Sequence, residues 1–279
     1  MKRVVVPNEI QGQIINDYIN GSSVLSLTKK YGYKYDKTYS IIKNNGIEIR
    51  GNDYNSKVYS VDSHVFDVID TEEKAYWLGF LYADGCVMST GSNYKLSLAI
   101  STEDIDHLRK FQKFLKTNNP IKVYKGNHNN EYCRIYVIDE HLCKQLISKG
   151  CTVRKTETLT FPEFLNDDLV RHFIRGYIDG DGCITFHKHQ INHDRLVFAL
   201  KICGTKELLT DFHRRLPINK KTDSPVLQKR RKNDVNNYSL EYGGNLQALR
   251  LLDYLYGDSN IYLNRKYERY LLLANYCSQ

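Results

Sequence analysis

The sequence predicts an α+β fold in which a small all-α domain precedes two copies of an α-β-β-α-β-β-α repeat. Three observations support this prediction. The first fifty residues place apolar side chains at helical spacing. The stretches WLGFLYADG and IRGYIDGDG each end an apolar helix pattern, and their aspartates Asp84 and Asp181 are 97 residues apart. The same order of strand and helix patterns follows each stretch.

These patterns divide the chain of 279 residues into four segments. We expect a helix-turn-helix domain over residues 1–52, a linker over 53–70, a first repeat over 71–163 and a second repeat over 164–279. The linker is predicted because its first part is polar and has no helical period.

The N-terminal segment shows three short helical patterns with glycines at their ends. A glycine-containing turn before the third helix is typical of a helix-turn-helix, and residues 1–60 hold nine Lys or Arg against five Asp or Glu. We expect the third helix to contact DNA through Lys34, Lys37, Thr38 and Tyr39. A three-helix packing module with a solvated basic face is the alternative.

Composition limits the class of protein. The net charge of +8 suits a polyanionic partner, and the seven scattered cysteines favour neither a disulfide framework nor a structural zinc site. The sequence contains no apolar run of about 18 residues and no signal peptide, so we expect no membrane association. The expected location is intracellular and soluble, in a cytoplasm or an organelle, and not secreted.

The two motif stretches carry small residues four positions apart, Gly79 with Ala83 and Gly176 with Gly180. Each helix therefore has one face without large side chains, and two such faces allow the two backbones to approach closely. If the helices pack in this way, the aspartates that end them lie side by side and repel each other unless a cation lies between them. Oxygen ligands favour Mg²⁺, with Mn²⁺ or Ca²⁺ as possible substitutes.

The paired motif and the repeat order resemble the single-chain LAGLIDADG homing endonucleases over about residues 71 to 279. The resemblance implies the LAGLIDADG fold, with a saddle of antiparallel sheets. It also implies a monomer that cuts both strands of a long, nearly asymmetric double-stranded DNA target across the minor groove by Mg²⁺-dependent hydrolysis. Intron homing, the movement of a mobile genetic element, is the implied biological role.

The resemblance also assigns residues. Asp84 and Asp181 become catalytic metal ligands, each serving one DNA strand, and the backbone carbonyls of Ala83 and Gly180 complete the metal shell. The resemblance also places a basic residue beside each centre, Lys155, which Arg154 precedes, and Lys266, which Arg265 precedes. Surface cations without a catalytic role are the alternative at both lysines.

Two positions differ between the copies or depart from the family pattern. Position six of the motif is Tyr82 in one copy and Asp179 in the other, and the family places it outside the metal site. The strand end that often carries a water-ordering Gln or Lys falls on Thr102 and Gly204, with Lys206 near enough to compensate in the second copy. Equal cutting of the two strands is therefore in doubt.

Antiparallel ribbons fit the major groove, so the solvent faces of the predicted strands are candidate DNA-contact surfaces. The expected contacts are Lys95, Ser97, Lys122 and Arg134 in the first repeat and His187, His189, Arg195 and Lys201 in the second. The basic stretch Lys220–Lys232 adds Lys229, Arg230 and Arg231 as phosphate contacts. The histidine run lacks a pattern of further ligands, so no zinc site is expected there.

Three other functions share parts of this pattern. A catalytically weak DNA-binding regulator or an RNA-binding intron maturase of the same fold need not keep both Asp84 and Asp181, and the presence of both acids favours a nuclease. An intein is disfavoured because the chain ends in NYCSQ, without the terminal His-Asn that splicing needs.

Overall fold

The structure is a computed structural model that describes residues 5–20, 22–49, 59–90, 93–126, 130–152, 155–189, 195–218 and 224–278. Arg154, residues 53–58 of the predicted linker and residues 220–223 of the basic stretch lie outside the described residues. The chain forms two compact units, Met1–Ser60 and Val61–Gln279, each with its own hydrophobic core.

The first unit contains the three predicted helices. They are α1 (Asn8–Ile19), α2 (Val24–Tyr31) and α3 (Tyr35–Asn44). Ser23 caps α2 by accepting a hydrogen bond from the N–H of Ser26, and Gly32 ends the helix at φ 73°, a left-handed conformation that favours glycine. A short turn therefore joins α2 to α3, as predicted.

The core of the first unit includes one residue that we expected on its surface. Thr38 is fully buried on the side of α3 that carries Ile41 and Ile42, and its hydroxyl donates to the carbonyl of Lys34 at 3.3 Å. The prediction that Thr38 contacts DNA is wrong, because a threonine bonded to the preceding turn can be buried in a helix. Lys34 is exposed, while Lys37 and Tyr39 are half-buried.

The second unit repeats one order of elements, as the sequence predicts. The first repeat consists of α4 (Glu72–Ala83), β1 (Gly85–Thr90), β2 (Asn93–Ser101), α5 (Ile105–Phe114), β3 (Lys122–Lys125), β4 (Glu131–Ile138) and α6 (Glu140–Ser148). The second consists of α7 (Asp167–Asp181), β5 (Gly182–Lys188), β6 (Leu196–Gly204), α8 (Lys206–Arg215), β7 (Leu227–Lys229), β8 (Tyr238–Gly243) and α9 (Asn245–Tyr256). A further helix, α10 (Asn264–Cys277), follows the second repeat.

Each repeat folds into one antiparallel four-stranded sheet. The strand orders are β1-β2-β4-β3 and β5-β6-β8-β7, so the two sheets share one topology. Alternate residues of the central strands, such as Leu98 and Ile135 or Ile202 and Leu240, are buried under the helices. The opposite face of each sheet, here called its outer face, carries the polar side chains.

The two motif helices α4 and α7 pack with their backbones in contact. A Cβ added to Gly79 would lie 2.0 Å from the carbonyl oxygen of Phe173, and one added to Gly176 would lie 1.9 Å from that of Tyr76. No side chain larger than hydrogen fits at either position. The predicted close approach of the two small faces is confirmed, and it brings the two helix ends together.

Residues 61–70, the second part of the predicted linker, belong to the second unit. Phe66 is fully buried in the core of that unit, and Asp62 accepts a hydrogen bond from Lys116 at 2.9 Å. Phe66 and Ile69 of this segment are both buried in that core, which a linker would not require. Within the described residues, no helix combines the length and the apolar character needed to cross a membrane.

Candidate active site

The two motif aspartates occupy equivalent places at the ends of the packed helices. Asp84 follows the last residue of α4, and Asp181 is the last residue of α7. The carboxylate of Asp84 lies against the other helix, since a Cβ on Gly180 would be 3.3 Å from Asp84 Oδ2. The helix packing thus places each acid beside the end of the opposite motif helix.

Both aspartates reach solvent, but the surrounding protein removes much of their hydration. Loss of hydration, reinforced by the charge of Asp181, raises the pKa of Asp84 to about 6. Loss of hydration also raises the pKa of Asp181, and the charges of Lys155 and Arg230 oppose that rise. Among the described residues, neither carboxylate has a hydrogen-bond or ion-pair partner.

These two acids fit a divalent metal ion. Carboxylate oxygens are the ligands that Mg²⁺ prefers, and two nearby carboxylates without protein partners gain from a cation between them. The carbonyl of Ala83 already accepts a hydrogen bond from Lys155, although a carbonyl oxygen has a second lone pair. The metal-ligand assignment of the Ala83 and Gly180 carbonyls remains a prediction.

The two lysines assigned by resemblance point at helix carbonyls. Lys155 Nζ donates to the carbonyl of Ala83 at 2.7 Å. Lys266 is 2% exposed, and its Nζ lies 2.6 Å from the carbonyl oxygens of both Ile178 and Asp179. Each lysine therefore donates to carbonyls in the last turn of a motif helix, where the helix leaves some carbonyl oxygens without an intrahelical partner. Burial lowers the pKa of Lys155, and it lowers that of Lys266 to about 8.

Motif position six ties each motif helix to the segment that carries its lysine. The Tyr82 hydroxyl donates to the carbonyl of Lys149, six residues before Lys155. Asp179 Oδ2 accepts from the backbone N–H of Leu263 at 2.8 Å, three residues before Lys266. The two side chains differ chemically but make equivalent connections. No sequence pattern indicates this role, because the partners are backbone groups.

The two acids open into separate recesses of related construction. The first recess, beside Asp84, is lined by Arg134 from β4 and by Arg265, whose Nε lies 2.9 Å from Asp104 Oδ2. The Arg265 side chain is 51% exposed and joins α10, the helix that follows the second repeat, to the first repeat. An arginine therefore supplies the accessible charge in this recess, while Lys266 is buried.

The second recess, beside Asp181, has a different set of cations. It is lined by Lys155, Arg230, Gly204 and Asn237. Arg230 continues from β7, and its N–H donates to the carbonyl of Asn237 at 3.1 Å. The sequence predicted Arg230 only as a phosphate contact in a basic loop, whereas the structure brings it to the acid itself.

The register of the strands corrects one equivalence between the repeats. Ser101 and Thr205 both accept a hydrogen bond from a backbone N–H at the start of the helical turn that follows. The residues after them, Thr102 and Lys206, are therefore equivalent, and Gly204 is not the counterpart of Thr102. The hairpin is longer in the second repeat, so the two strand ends lie at different distances in sequence from their aspartates. Lys206 occupies the strand-end position directly.

The outer face of the first sheet combines cations with tyrosines. The Arg134 guanidinium lies 5.1 Å from the ring centre of Tyr132 and 5.4 Å from that of Tyr136. Lys95 Nζ lies 3.5 Å from the ring centre of Tyr136, and Lys122 is directly opposite Arg134 in register. Contacts between these cations and the tyrosine rings hold the side chains in place before any ligand binds.

One predicted contact on this face is not accessible. Ser97 lies on the outer face but is 6% exposed, opposite Tyr136 in register. Its short side chain is covered by larger neighbours on the same face, so the prediction that Ser97 contacts DNA directly is wrong. The alternation of residues along the strand predicted the face correctly, but it does not show how far the neighbouring side chains extend over Ser97.

The outer face of the second sheet is polar and largely without aromatic side chains. Strand register places His187 and Lys201 on this face, with Arg195 and His189 beyond the ends of the paired residues. Lys229 and Arg231 are exposed near the edge strand, and Lys229 Nζ lies 3.4 Å from the carbonyl oxygen of Asp234. The two sheets thus share a topology but present different chemistry.

Comparison with solved structures supports this fold. A crystal structure of meganuclease I-SmaMI bound to an uncleavable DNA matches this chain with a TM-score of 0.50 and 12% identity. The match covers 75% of this chain and 89% of the I-SmaMI chain. The LAGLIDADG homing endonuclease I-LtrWI and the LAGLIDADG meganuclease I-AabMI each match 75% of this chain, over 92% and 90% of their own chains. Their TM-scores are 0.48 and 0.45, with 11% and 14% identity. No family model and no curated protein sequence matches.

I-SmaMI is itself a LAGLIDADG homing endonuclease. The match at a TM-score of 0.50 therefore shows that this chain has the LAGLIDADG endonuclease fold, in the single-chain form with two motifs. Because the sequence identity is 12%, the match is evidence for the fold alone.

Proposed function

We propose that this protein is a site-specific homing endonuclease that hydrolyses both strands of double-stranded DNA in a metal-dependent reaction. The observation that carries the proposal is the paired placement of Asp84 and Asp181 at the ends of two packed motif helices. A packing interface alone gains nothing from two acids that repel each other there. A pair of phosphodiester centres, one for each strand, explains both acids and the pseudo-symmetry.

Each acid has cations placed to receive a phosphate group. Arg134 and Arg265 line the first recess, and Lys155 and Arg230 line the second. Guanidinium and ammonium groups at these places bind the scissile phosphate and stabilise the charge that develops on it during hydrolysis. When bound between the acids, Mg²⁺ supplies the Lewis acid that polarises the phosphate and activates water.

Lys155 and Lys266 have a supporting role in this proposal. Their ammonium groups hold the carbonyls at the ends of the motif helices, which fixes the direction of the two acids. Lys155 also lines the recess of Asp181 and faces the phosphate site there. Lys266 is buried, so Arg265 takes the place of a direct cation beside Asp84.

The outer faces of the two sheets form the proposed DNA-binding surface. A twisted antiparallel ribbon fits the major groove, and the acids at the helix ends then face the minor groove between the two half-sites. The first sheet presents Arg134 and Lys95, which lie over tyrosine rings, whereas the second presents His187 and Lys201. Because these surfaces differ, a monomer would read a long target with unlike halves.

The N-terminal unit would extend this binding site. Lys34, directly before α3, and Lys37 and Tyr39 on α3 are at least partly exposed. Tyr39 stacks on Tyr35 with ring centres 6.2 Å apart. A basic, aromatic helix after a glycine-containing turn suits contact with DNA, by base edges or by phosphates. Intron homing is the role we propose for cleavage at such a rare, long site.

A cleavage selection tests the proposed function. Genomic DNA from the source and from its phages is incubated with Mg²⁺ and the protein, and new ends are sequenced. The matched control is the Asp84→Asn, Asp181→Asn double variant, which keeps the fold and removes both carboxylates. Recurrent paired ends with the wild type alone are expected. Sequence-specific retention of intact DNA or RNA without cleavage would instead show a regulator or a maturase.

A further inference from the structure

Outside the active site, two histidines and an aspartate of the second unit converge at the surface. His64 Nδ1 lies 2.7 Å from Asp67 Oδ2, and His141 Nε2 lies 2.6 Å from Asp67 Oδ1. The centres of the two imidazole rings are 4.3 Å apart. One ligand atom from each of the three residues lies within 4.8 Å of the others. Each nitrogen therefore faces the same carboxylate, as in a three-ligand metal site.

We infer that His64, Asp67 and His141 form a binding site for a divalent transition metal ion, with Zn²⁺ as the expected occupant. Two imidazole nitrogens and one carboxylate are ligands that suit zinc, whereas Mg²⁺ prefers oxygen alone. The site is separate in ligand chemistry from the acid pair Asp84 and Asp181, which offers only oxygen.

The distances allow such a site after small side-chain rotations. Zinc bonds to nitrogen and oxygen at about 2.0–2.2 Å, so tetrahedral ligand atoms are about 3.3–3.5 Å apart. Atoms that now lie no more than 4.8 Å apart reach that spacing by ring rotation. The metal binds the ring nitrogens that now face Asp67, each neutral imidazole carries its proton on the other ring nitrogen, and a water completes the fourth position.

The backbone around the site is already fixed without a metal. Ser63 Oγ donates to Asp139 Oδ2 at 2.7 Å, and Asp139 Oδ1 caps α6 by accepting from the N–H of Leu142 at 2.8 Å. Phe66 is fully buried beneath the same turn. The segment that carries His64 and Asp67 is thus held against the helix that carries His141. Little ordering is needed on binding, which favours affinity.

A bound ion would pin the start of the second unit to α6. Residues 61–67 begin that unit, and the hydrogen bonds among His64, Asp67 and His141 that help to attach them to α6 lie at partly exposed side chains. His64 and His141 side chains are 72% and 41% exposed, so an ion enters without unfolding. Metal bonds at this place would make the segment resist local opening.

The test is Zn²⁺ titration of the full-length Asp84→Asn, Asp181→Asn variant, which removes the active-site carboxylates. We expect uptake of one equivalent of Zn²⁺ and, with Co²⁺ as the probe, a visible absorption band. His64→Ala or His141→Ala should weaken Zn²⁺ binding by about 100-fold. His64 is exposed and His141 is half-buried, so circular dichroism with a second variant, His64→Gln, checks that lost binding does not reflect unfolding.

His187→Ala is the matched control, because His187 is an exposed histidine on another part of the unit. It should leave Zn²⁺ stoichiometry and affinity unchanged. The inference is overturned if the His64 and His141 variants bind Zn²⁺ as the parent does. It is also overturned if the His187 change removes the binding, or if the parent takes up no zinc.

Discussion

The carboxylate of Asp179 accepts a hydrogen bond from the backbone N–H of Leu263 at 2.8 Å, and this bond ties motif helix α7 to the segment that carries Lys266. Asp179 is 1% exposed and also accepts from Tyr76 at 2.7 Å and from Tyr256 at 2.6 Å. All three partners are donors. A carboxylate is the side chain that can satisfy them together.

Asp179→Asn should therefore damage both stability and catalysis. The amide would place two N–H groups among donors, so we expect the free energy of unfolding to fall by about 2 kcal/mol. Because Lys266 shifts with its segment, one DNA strand should be cut more slowly relative to the other. Urea unfolding and strand-resolved cleavage measure the two effects. Tyr256→Phe, which keeps the bond to Leu263, is the control and should leave the strand ratio unchanged.

Tyr82→Phe gives the corresponding test in the first repeat. It removes the hydroxyl that holds the carbonyl of Lys149, so Lys155 loses its anchor. The expected loss of stability is about 1 kcal/mol, and the strand ratio should change in the direction opposite to that seen with Asp179→Asn. Equal effects on both strands would contradict the positioning role of motif position six.

Gly176→Ala should destabilise the second unit strongly. The added methyl group would lie 1.9 Å from the carbonyl oxygen of Tyr76, so the two motif helices must separate. We expect a loss of about 3 kcal/mol in thermal unfolding. Gly12→Ala in helix α1 is the contrast, because nothing lies within 4 Å of that position. It should stabilise the first unit by about 0.5–1 kcal/mol, and similar effects at both glycines would refute the packing argument.

Asp84→Asn should make the metal-free protein more stable at pH 7.5. Loss of hydration raises the pKa of Asp84 from 3.8 to about 6, so the folded state binds more protons than the unfolded state between those values. Stability therefore falls as the pH rises through this window. The amide removes a penalty of about 1 kcal/mol once solvent screening of an exposed group is allowed for.

Urea unfolding in EDTA at pH 4 and pH 7.5 measures this change. The gain should be present at pH 7.5 and small at pH 4, where the carboxylate is already protonated. Glu268→Gln, at an exposed residue of α10, should give no such gain. A loss of stability for Asp84→Asn at pH 7.5 would show that the carboxylate stabilises the fold.

Arg134→Ala should weaken DNA binding and reduce its dependence on salt. In the first recess the guanidinium is placed for a phosphate, so the slope of log affinity against log salt should fall by about 1. Arg134→Lys should keep the slope but bind more weakly, because an ammonium cannot stack on Tyr132 and Tyr136 as a planar guanidinium does. Lys113→Ala, an exposed cation on α5, should leave the slope unchanged.

The sequence was sufficient to predict the repeated order of elements and the pair of aspartates. Alternating strands and apolar helices leave periodic patterns, and two Asp-Gly helix ends at repeat spacing reveal the internal symmetry. Gly79 and Gly176 predicted the close helix packing for a similar reason. In each case the signal was a periodicity along the chain.

The contacts that a side chain makes across the fold left no such signal. Arg175 looks like an anomalous polar residue in an apolar motif, yet it is fully buried, with its guanidinium 2.6 Å from Glu72 Oε1 and 2.9 Å from the carbonyl oxygen of Ile261. Thr38 and Ser97 were expected at the surface because of their residue type and are buried. Long-range burial depends on neighbours that are distant in sequence.

The measurement that tests the central claim most directly is strand-resolved cleavage by the single variants Asp84→Asn and Asp181→Asn. A supercoiled plasmid carrying the selected target is incubated with Mg²⁺, and each strand is labelled. The account predicts that both variants bind the target and lose double-strand cleavage by at least about 100-fold, with any remaining nicks on opposite strands. Cleavage of both strands by either variant at the wild-type rate would contradict it.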